Sequence, residues 1–444
     1  MKTKFSILIA LIAFSFSGLS QKKWDLKEAV AYAIENNISI KQQVLNLESS
    51  TEDVIGAKGN FLPNLSGSTG GNLNFGSTID PVSNGRISST TFSSSYSLRS
   101  GVTVFNGYSL LNSYKRAQLN VQNGKLELQR IKDDISLRVV NSYLNILFAK
   151  ENLAVAKVQA EISKQQIDVA KNQVEAGAKP KGELLNAQSA YANDLQTIVS
   201  LENTLNIALL GLAQLLQVDP NNFDINTIEV GAPSVSLLYK NSDDVYKKAV
   251  EIRPEILQRK IGVESGELAV KIAKSGFLPS VTASASAGSN FSHRFANIFE
   301  GTNRYFFKQL NDNFGYGVGF SVNIPIFSRY QNKVNLNKAL INNDKNRLSL
   351  ESEKLTLQQT IQRAFLDAKA ALKSYESAKL SLEAQQEAFK NAQQRYTFEA
   401  ITSFEFDQVR NRLVNAESTL IRAKFDYVFK TKVLKFYYGE SVVD

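Results

Sequence analysis

Few side chains in this 444-residue chain could do covalent chemistry. Cysteine is absent, which excludes disulfides, thiolate metal sites and a cysteine nucleophile. The single histidine, His293, falls in a segment predicted to be a loop. No His/Glu cluster has metal-ligand spacing, no glycine loop precedes a helix in P-loop fashion, and no Gly-x-Ser-x-Gly occurs. The expectation is therefore no enzyme, no cofactor and no metal. What remains are acidic residues in two short turns. One turn reads QVEAGAKPKGELLNAQ at 173–188 and the other RYTFEAITSFEFDQV at 395–409. Glu183 and Glu405 hold the same place in each, just past the turn, where a carboxylate favours a helix N-terminus. Asp407 follows two residues later, about 200° around a helix, so Glu405 and Asp407 cannot both face one direction.

The two turns are alike because the chain is duplicated. Ala33, Glu35, Ile40, Gln42 and Glu48 match Ala249, Glu251, Ile256, Gln258 and Glu264 at a constant offset. Phe61-Leu62-Pro63 matches Phe277-Leu278-Pro279, and Val104-Phe105 matches Ile326-Phe327. A unit of about 220 residues is a duplicated domain half, not a solenoid repeat. The expected boundaries are 21–242 and 243–444, each with the order helix, strand, strand, long helix, turn, helix. Each Phe-Leu-Pro should end a helix and open a strand, because a residue before proline prefers extended geometry.

The strands alternate with a period of two. Val318, Phe320, Val322, Ile324 and Ile326 alternate with small or polar residues, as do Tyr96, Leu98, Val102 and Val104, and Val281, Ala283, Ala285 and Ala287. An ordinary half-buried sheet would look the same. The loops between them are long, 76–91 and 292–313. Strands of about ten residues with long loops on one side suit an outer-membrane barrel. Four strands cannot close one, since about eight are the usual minimum, and lipid tolerates no open edge. Spanning strands would require several chains to share one barrel.

From 107 to 176 there is no proline and almost no glycine. Leu153, Ala156, Ala160, Ser163, Ile167, Ala170 and Val174 step by threes and fours, and Tyr375, Ala378, Leu382, Gln385, Phe389, Ala392 and Tyr396 repeat the pattern. A helix of roughly 70 residues runs about 105 Å. The segments 183–216 and 243–275 read as half-length helices, with a break at 218–242 that holds Pro220 and Pro233.

The first residues belong to neither unit. Lys2 and Lys4 precede an apolar run from Phe5 to Phe16, then Gly18, Leu19 and Ser20, which reads as a secretory signal over 1–20. Lys and Arg number 51 against 42 acids, interspersed rather than clustered, which argues against nucleic-acid binding. No later segment has eighteen consecutive apolar residues, the mark of a spanning helix.

The duplication, the Phe-Leu-Pro punctuation, the hairpins ending in Val-Phe-Asn-Gly and Ile-Phe-Ser-Arg, and the long helices together resemble the TolC-type outer membrane efflux proteins. The stretch NFGSTIDPVSN looks like the version found in Bacteroidetes members. The resemblance covers essentially the whole chain past the signal. It implies an α+β membrane protein, in which a long α-helical coiled-coil barrel joins a transmembrane β-barrel shared between chains. It implies a homotrimer in the outer membrane, with a tunnel extending into the periplasm, that meets outer-membrane lipid. Its expected partners are a periplasmic adaptor and an inner-membrane RND or ABC transporter, and its cargo small molecules or, in type I secretion, polypeptides. The family's tips meet the adaptor. Carried over, these are Gly177, Ala178, Lys179 and Pro180 in the first turn, and Glu399, Ala400, Ile401 and Thr402 in the second. Glu399 stands where the family has glycine. The family's acidic position past the second tip faces the tunnel axis, which makes Glu405 a periplasmic gate residue and Asp407 its helper. A trimeric coiled-coil surface adhesin or structural envelope protein is the alternative, and predicts one terminal cluster of strands rather than two internal hairpins.

Overall fold

The computed structural model describes residues 23–79, 84–227, 239–295, 306–398 and 400–441. The expected signal, Glu399 and part of the expected break lie outside the described residues. The elements run β1 (Lys23–Trp24), α1 (Leu26–Asn36), α2 (Ile38–Gly59), β2 (Asn64–Ile79), β3 (Arg86–Asn106), α3 (Ser109–Glu175) and α4 (Lys181–Leu216). They continue β4 (Asp224–Ile225), α5 (Ser242–Ile252), α6 (Pro254–Ser275), β5 (Ser280–Phe295), α7 (Phe306–Asp312), β6 (Gly315–Asn323), α8 (Gln331–Thr397) and α9 (Ser403–Tyr438). The two long helices have the same length, 67 residues, and so do the two return helices, 36 residues.

Compactness divides the chain across the repeat. One unit takes residues up to 45, 126–257 and those from 351 on, and the other takes 46–125 and 258–350. In the first unit, α3 buries Val139, Val140, Tyr143 and Ile146 against Leu212 and Leu216 of α4, Ala29 and Ala33 of α1, and Ile225 of β4. The Tyr143 hydroxyl lies 3.0 Å from the Trp24 carbonyl and 2.8 Å from that of Asn226. It thereby pins the short parallel pair β1–β4 to the helix. Lower on α3 the predicted seam is the buried line: Leu153, Ala156, Ala160, Ser163 and Ala170 are buried, as are Tyr375, Ala378 and Ala392 on α8. Small residues here let helices approach closely.

The second unit holds one antiparallel sheet in the order β2-β3-β5-β6. Both Phe-Leu-Pro segments close their helices in the same way. Leu62 N–H donates to the Gly59 carbonyl (2.9 Å) and Leu278 N–H to that of Ser275 (3.0 Å), and a strand begins after each proline. The return from strand to helix is also repeated. Gly107 and Tyr108 have φ of 65° and 66°, and Arg329 and Tyr330 have 49° and 63°.

Four expectations are corrected. The single helix expected over 243–275 is two, α5 and α6, because Pro254 has no N–H and holds Arg253 extended at φ −69°, ψ 128°. The loop expected at 76–91 is mostly strand: β2 runs to Ile79 and β3 starts at Arg86, on a Ser/Thr-rich stretch with little apolar alternation to announce it. Similarly, β5 continues to Phe295, so His293 is a strand residue. Finally, β6 ends at Asn323 rather than at Ile326, since Pro325 cannot donate to a ladder.

Candidate functional site: the helical tips and the two-faced sheet

The first tip joins α3 to α4. Gly177 adopts φ +72°, a left-handed position that glycine takes without strain. Ala178 N–H then reaches back to the Gln173 carbonyl at 2.9 Å, and Pro180 precedes α4 in extended geometry. Gly177, Ala178 and Pro180 are exposed and Lys179 is half-buried. The second tip joins α8 to α9. Ala400 N–H donates to the Arg395 carbonyl at 2.7 Å. Ile401 turns inward and is buried with Ala392 and Phe406, while Phe389 and Tyr396 pack around them. The Tyr396 and Phe406 rings stack at 4.8 Å. Phe398 and Phe404, by contrast, are exposed.

Thr402 caps α9 in a reciprocal box. Glu405 N–H donates to Thr402 Oγ1 at 3.2 Å, and Thr402 N–H donates to Glu405 Oε2 at 2.9 Å. These bonds hold the exposed Glu405 carboxyl below its ordinary range. Asp407 behaves oppositely. Burial pushes its carboxyl up, against the pull of the Arg410 guanidinium, whose Nη2 is 3.5 Å away. As their separation of about 200° predicts, the two carboxylates differ in setting: Glu405 is in solvent, and Asp407 is half-buried beside Arg410.

Arg410 is a residue that sequence reasoning missed. It is 2% exposed and hydrogen-bonds Ser163 of α3, while Ser163 in turn donates to Asp194 of α4. One buried guanidinium thus ties α9 to both helices of the first hairpin. Its only sequence signal was a cationic residue on the face of α9 that carries Phe406, one helical turn further on.

The sheet has two chemically distinct faces, fixed by its register. Opposite one another on one face stand Thr69, Tyr96 and Ser289, then Gly67, Leu98, Ala287 and Tyr316, then Ala285 and Val318, then Val102, Ala283 and Phe320. The other face carries Ser66 with Arg99 and Ser286, Ser68 with Ser97 and Gly288, and Ser284 with Gly319. The apolar side chains lie bare: Tyr316 is 84%, Val318 87% and Phe320 81% exposed. Aromatic residues bracket this band, Phe61, Phe105 and Phe327 at the helical end and Phe75, Phe92 and Phe291 at the other. From Phe92 to Phe105 the strand covers roughly 43 Å, or about 33 Å along a membrane normal at a tilt of ~40°. That matches a hydrocarbon core of ~30 Å with its two interfaces. A bulge between Thr103 and Phe105 leaves Val104, expected in line with Val102, unpaired. Among the described residues, no strand pairs with the outer edges of β2 and β6.

A family model described as outer membrane efflux protein matches residues 30–217 and again 245–439. Outer membrane protein TolC of Escherichia coli (strain K12) is 22% identical, over 98% of this chain and 86% of its own. Nodulation protein T of Rhizobium leguminosarum bv. viciae is 22% identical, over 90% and 78%. The Campylobacter jejuni CmeC outer membrane channel shares the fold, with a TM-score of 0.76 at 17% identity over 93% of this chain and 85% of that one.

Proposed function

The chain belongs to the outer membrane efflux protein family, a family of outer-membrane exit ducts, and we propose that three copies of it enclose one passive duct. The observation that carries this is the sheet: four strands, one lipid-compatible face, one polar face and two open edges. Three such sheets supply twelve strands, enough to close a barrel whose Ser/Gly face lines water. The helices point the same way. Among the described residues, α4 alone is long and apolar enough to cross a bilayer by length and composition, yet Leu185, Leu195, Val199 and Ile207 on it are exposed. An uncovered apolar flank on a 36-residue helix is what neighbouring columns of a shared tunnel would cover.

In this reading the signal is cut near Ser20, the units 21–242 and 243–444 each supply one hairpin of strands and one of helices, and no catalytic step is involved. Energy comes from an inner-membrane RND or ABC transporter joined through a periplasmic adaptor. The adaptor meets the tips, Gly177 to Pro180 and Glu399 to Thr402, where exposed Phe398 and Phe404 offer apolar contact. Glu405, not Asp407, supplies the charge at the mouth, because it is the carboxylate left in solvent.

The absence of cysteine makes the trimer testable. One cysteine on β2, scanned against one on β6, should yield in one register an oxidised ladder that ends at three chains. A ladder that stops at two, or no crosslink at any register, overturns the shared barrel. Reversing the charges of Lys179 and Glu399 together should abolish export with trimer levels unchanged; normal export would remove the tips from the adaptor contact.

A further inference from the structure

The far end of the apolar face is not left bare. β5 runs on past its last partner in β6, Gly288 opposite Gly315, and α7 takes the place of the missing strand. Ser292 N–H donates to Gln309 Oε1 at 3.0 Å, and Asn313 Nδ2 donates to the Asn290 carbonyl at 2.8 Å, so side chains satisfy the free edge. Ser289, on the apolar face, donates to the Leu310 carbonyl at 2.6 Å. Phe306 lies on that same face, 4.9 Å from Phe291 and 6.2 Å from Tyr96. It helps to bury Phe291 to 3% exposure.

With α7 so fixed, its next residue points away from the protein. Phe307 is 82% exposed, and Phe314 and Tyr316 beside the helix are also bare. Lys308, Asn311 and Asp312 are exposed too. Three uncovered aromatic rings beside charged and polar side chains, at the rim of an apolar band, have the composition of a bilayer interface. Water alone gives no reason to hold Phe307 out on an element pinned through Gln309 and Leu310 and, just past its end, through Asn313.

We propose that α7 is a lipid anchor on the outside of the barrel, seated in the headgroup–acyl boundary of the outer leaflet with Phe307 inserted among acyl chains. Lipid is the occupant because α7 lies over the apolar face rather than beyond the open edge of β6, where another copy would pair. This rests on the reading of the sheet as one sector of a lipid-embedded barrel. Anchored there, α7 fixes the height of the barrel in the leaflet independently of the tunnel.

The test uses the trimer in lipid nanodiscs, with tryptophan placed at one position at a time. The only native tryptophan, Trp24, is buried in the other compact unit, so its emission can be subtracted as a constant. In Phe307→Trp, lipids brominated near the glycerol backbone should quench most of the added emission, more than lipids brominated at mid-chain, and aqueous acrylamide should quench little. Val318→Trp, at mid-sheet, should show the reverse order between the two lipids. If Val318→Trp is quenched by lipid but Phe307→Trp only by acrylamide, α7 stands in water and the anchor is refuted while the barrel stands. If neither responds to lipid, the barrel reading itself fails, and the anchor with it.

Discussion

The Glu405 carboxylate accepts hydrogen bonds from both the Thr402 N–H and the Thr402 hydroxyl, so its charge and its capping role can be separated by mutation. Glutamine can fill the same box, so Glu405→Gln should leave thermal stability unchanged while cation selectivity and block by multivalent cations fall. Thr402→Ala keeps the charge and loses the cap, at about 1 kcal/mol of stability and little selectivity. Reversal potentials and melting curves of the two variants would distinguish these roles, and equal effects in both would place the mouth's charge elsewhere. Arg410 is a second residue-scale case. Arg410→Ala leaves Asp194 and Asp407 without their buried cation and should cost about 3–5 kcal/mol, visible as a lowered melting temperature. Unchanged melting would mean that the cluster is wetter than its 2% exposure implies. Asp407 makes one contribution to the pH dependence of stability. Its folded pKa is raised by burial, so the ionised form is disfavoured in the native state at neutral pH. That cost is relieved as pH falls through the raised value and vanishes below the unfolded one. Asp407→Asn should therefore stabilise the protein at neutral pH and make no difference in acid; a gain that persists in acid would contradict the assignment.

At the scale of the element, the two strand-to-helix turns are the same left-handed corner made from different residues. Gly107 suits it, and a Cβ there would lie 2.9 Å from Leu278 Cβ and 3.0 Å from the Ser275 carbonyl. Arg329 takes the same corner at φ 49° and carries a left-handed cost of about 1–2 kcal/mol. Arg329→Gly should thus be neutral or stabilising, whereas Gly107→Ala should lower the yield of folded trimer; the opposite ranking would deny the equivalence of the corners. The sheet makes a parallel claim. Val318→Arg on the apolar face should cost about 2–4 kcal/mol, and Ser284→Arg on the polar face should be tolerated and change conductance instead. These elements could be read from the sequence because their signals are local: a period of two, Phe-Leu-Pro twice, and long stretches without proline. The ends were harder. Ser88 to Thr91 form strand because β2, paired along its whole length with β3, reaches past them to Ile79 opposite Arg86, and no local pattern reports that partner. Pro254, in contrast, was a local signal that the helical periodicity of 243–275 masked.

For the whole molecule, the count of four strands already demanded partners, and in the proposed trimer the edges that meet are those of β2 and β6, the outermost strands of the sheet. The tip turns were visible as matched segments. Arg410 was not, because its partner Ser163 is 247 residues away and the contact exists only where three helices meet. The central claim is that this chain forms one defined passive pore from three copies. Planar-bilayer recording on the purified protein tests it most directly. The expected result is a uniform single-channel step, cation-selective, blocked by multivalent cations added on the side of the helical tips, and weakened in its selectivity by salt. Bilayers that stay silent, or that show only irregular leaks without a reproducible step, would contradict the duct and favour a structural envelope protein.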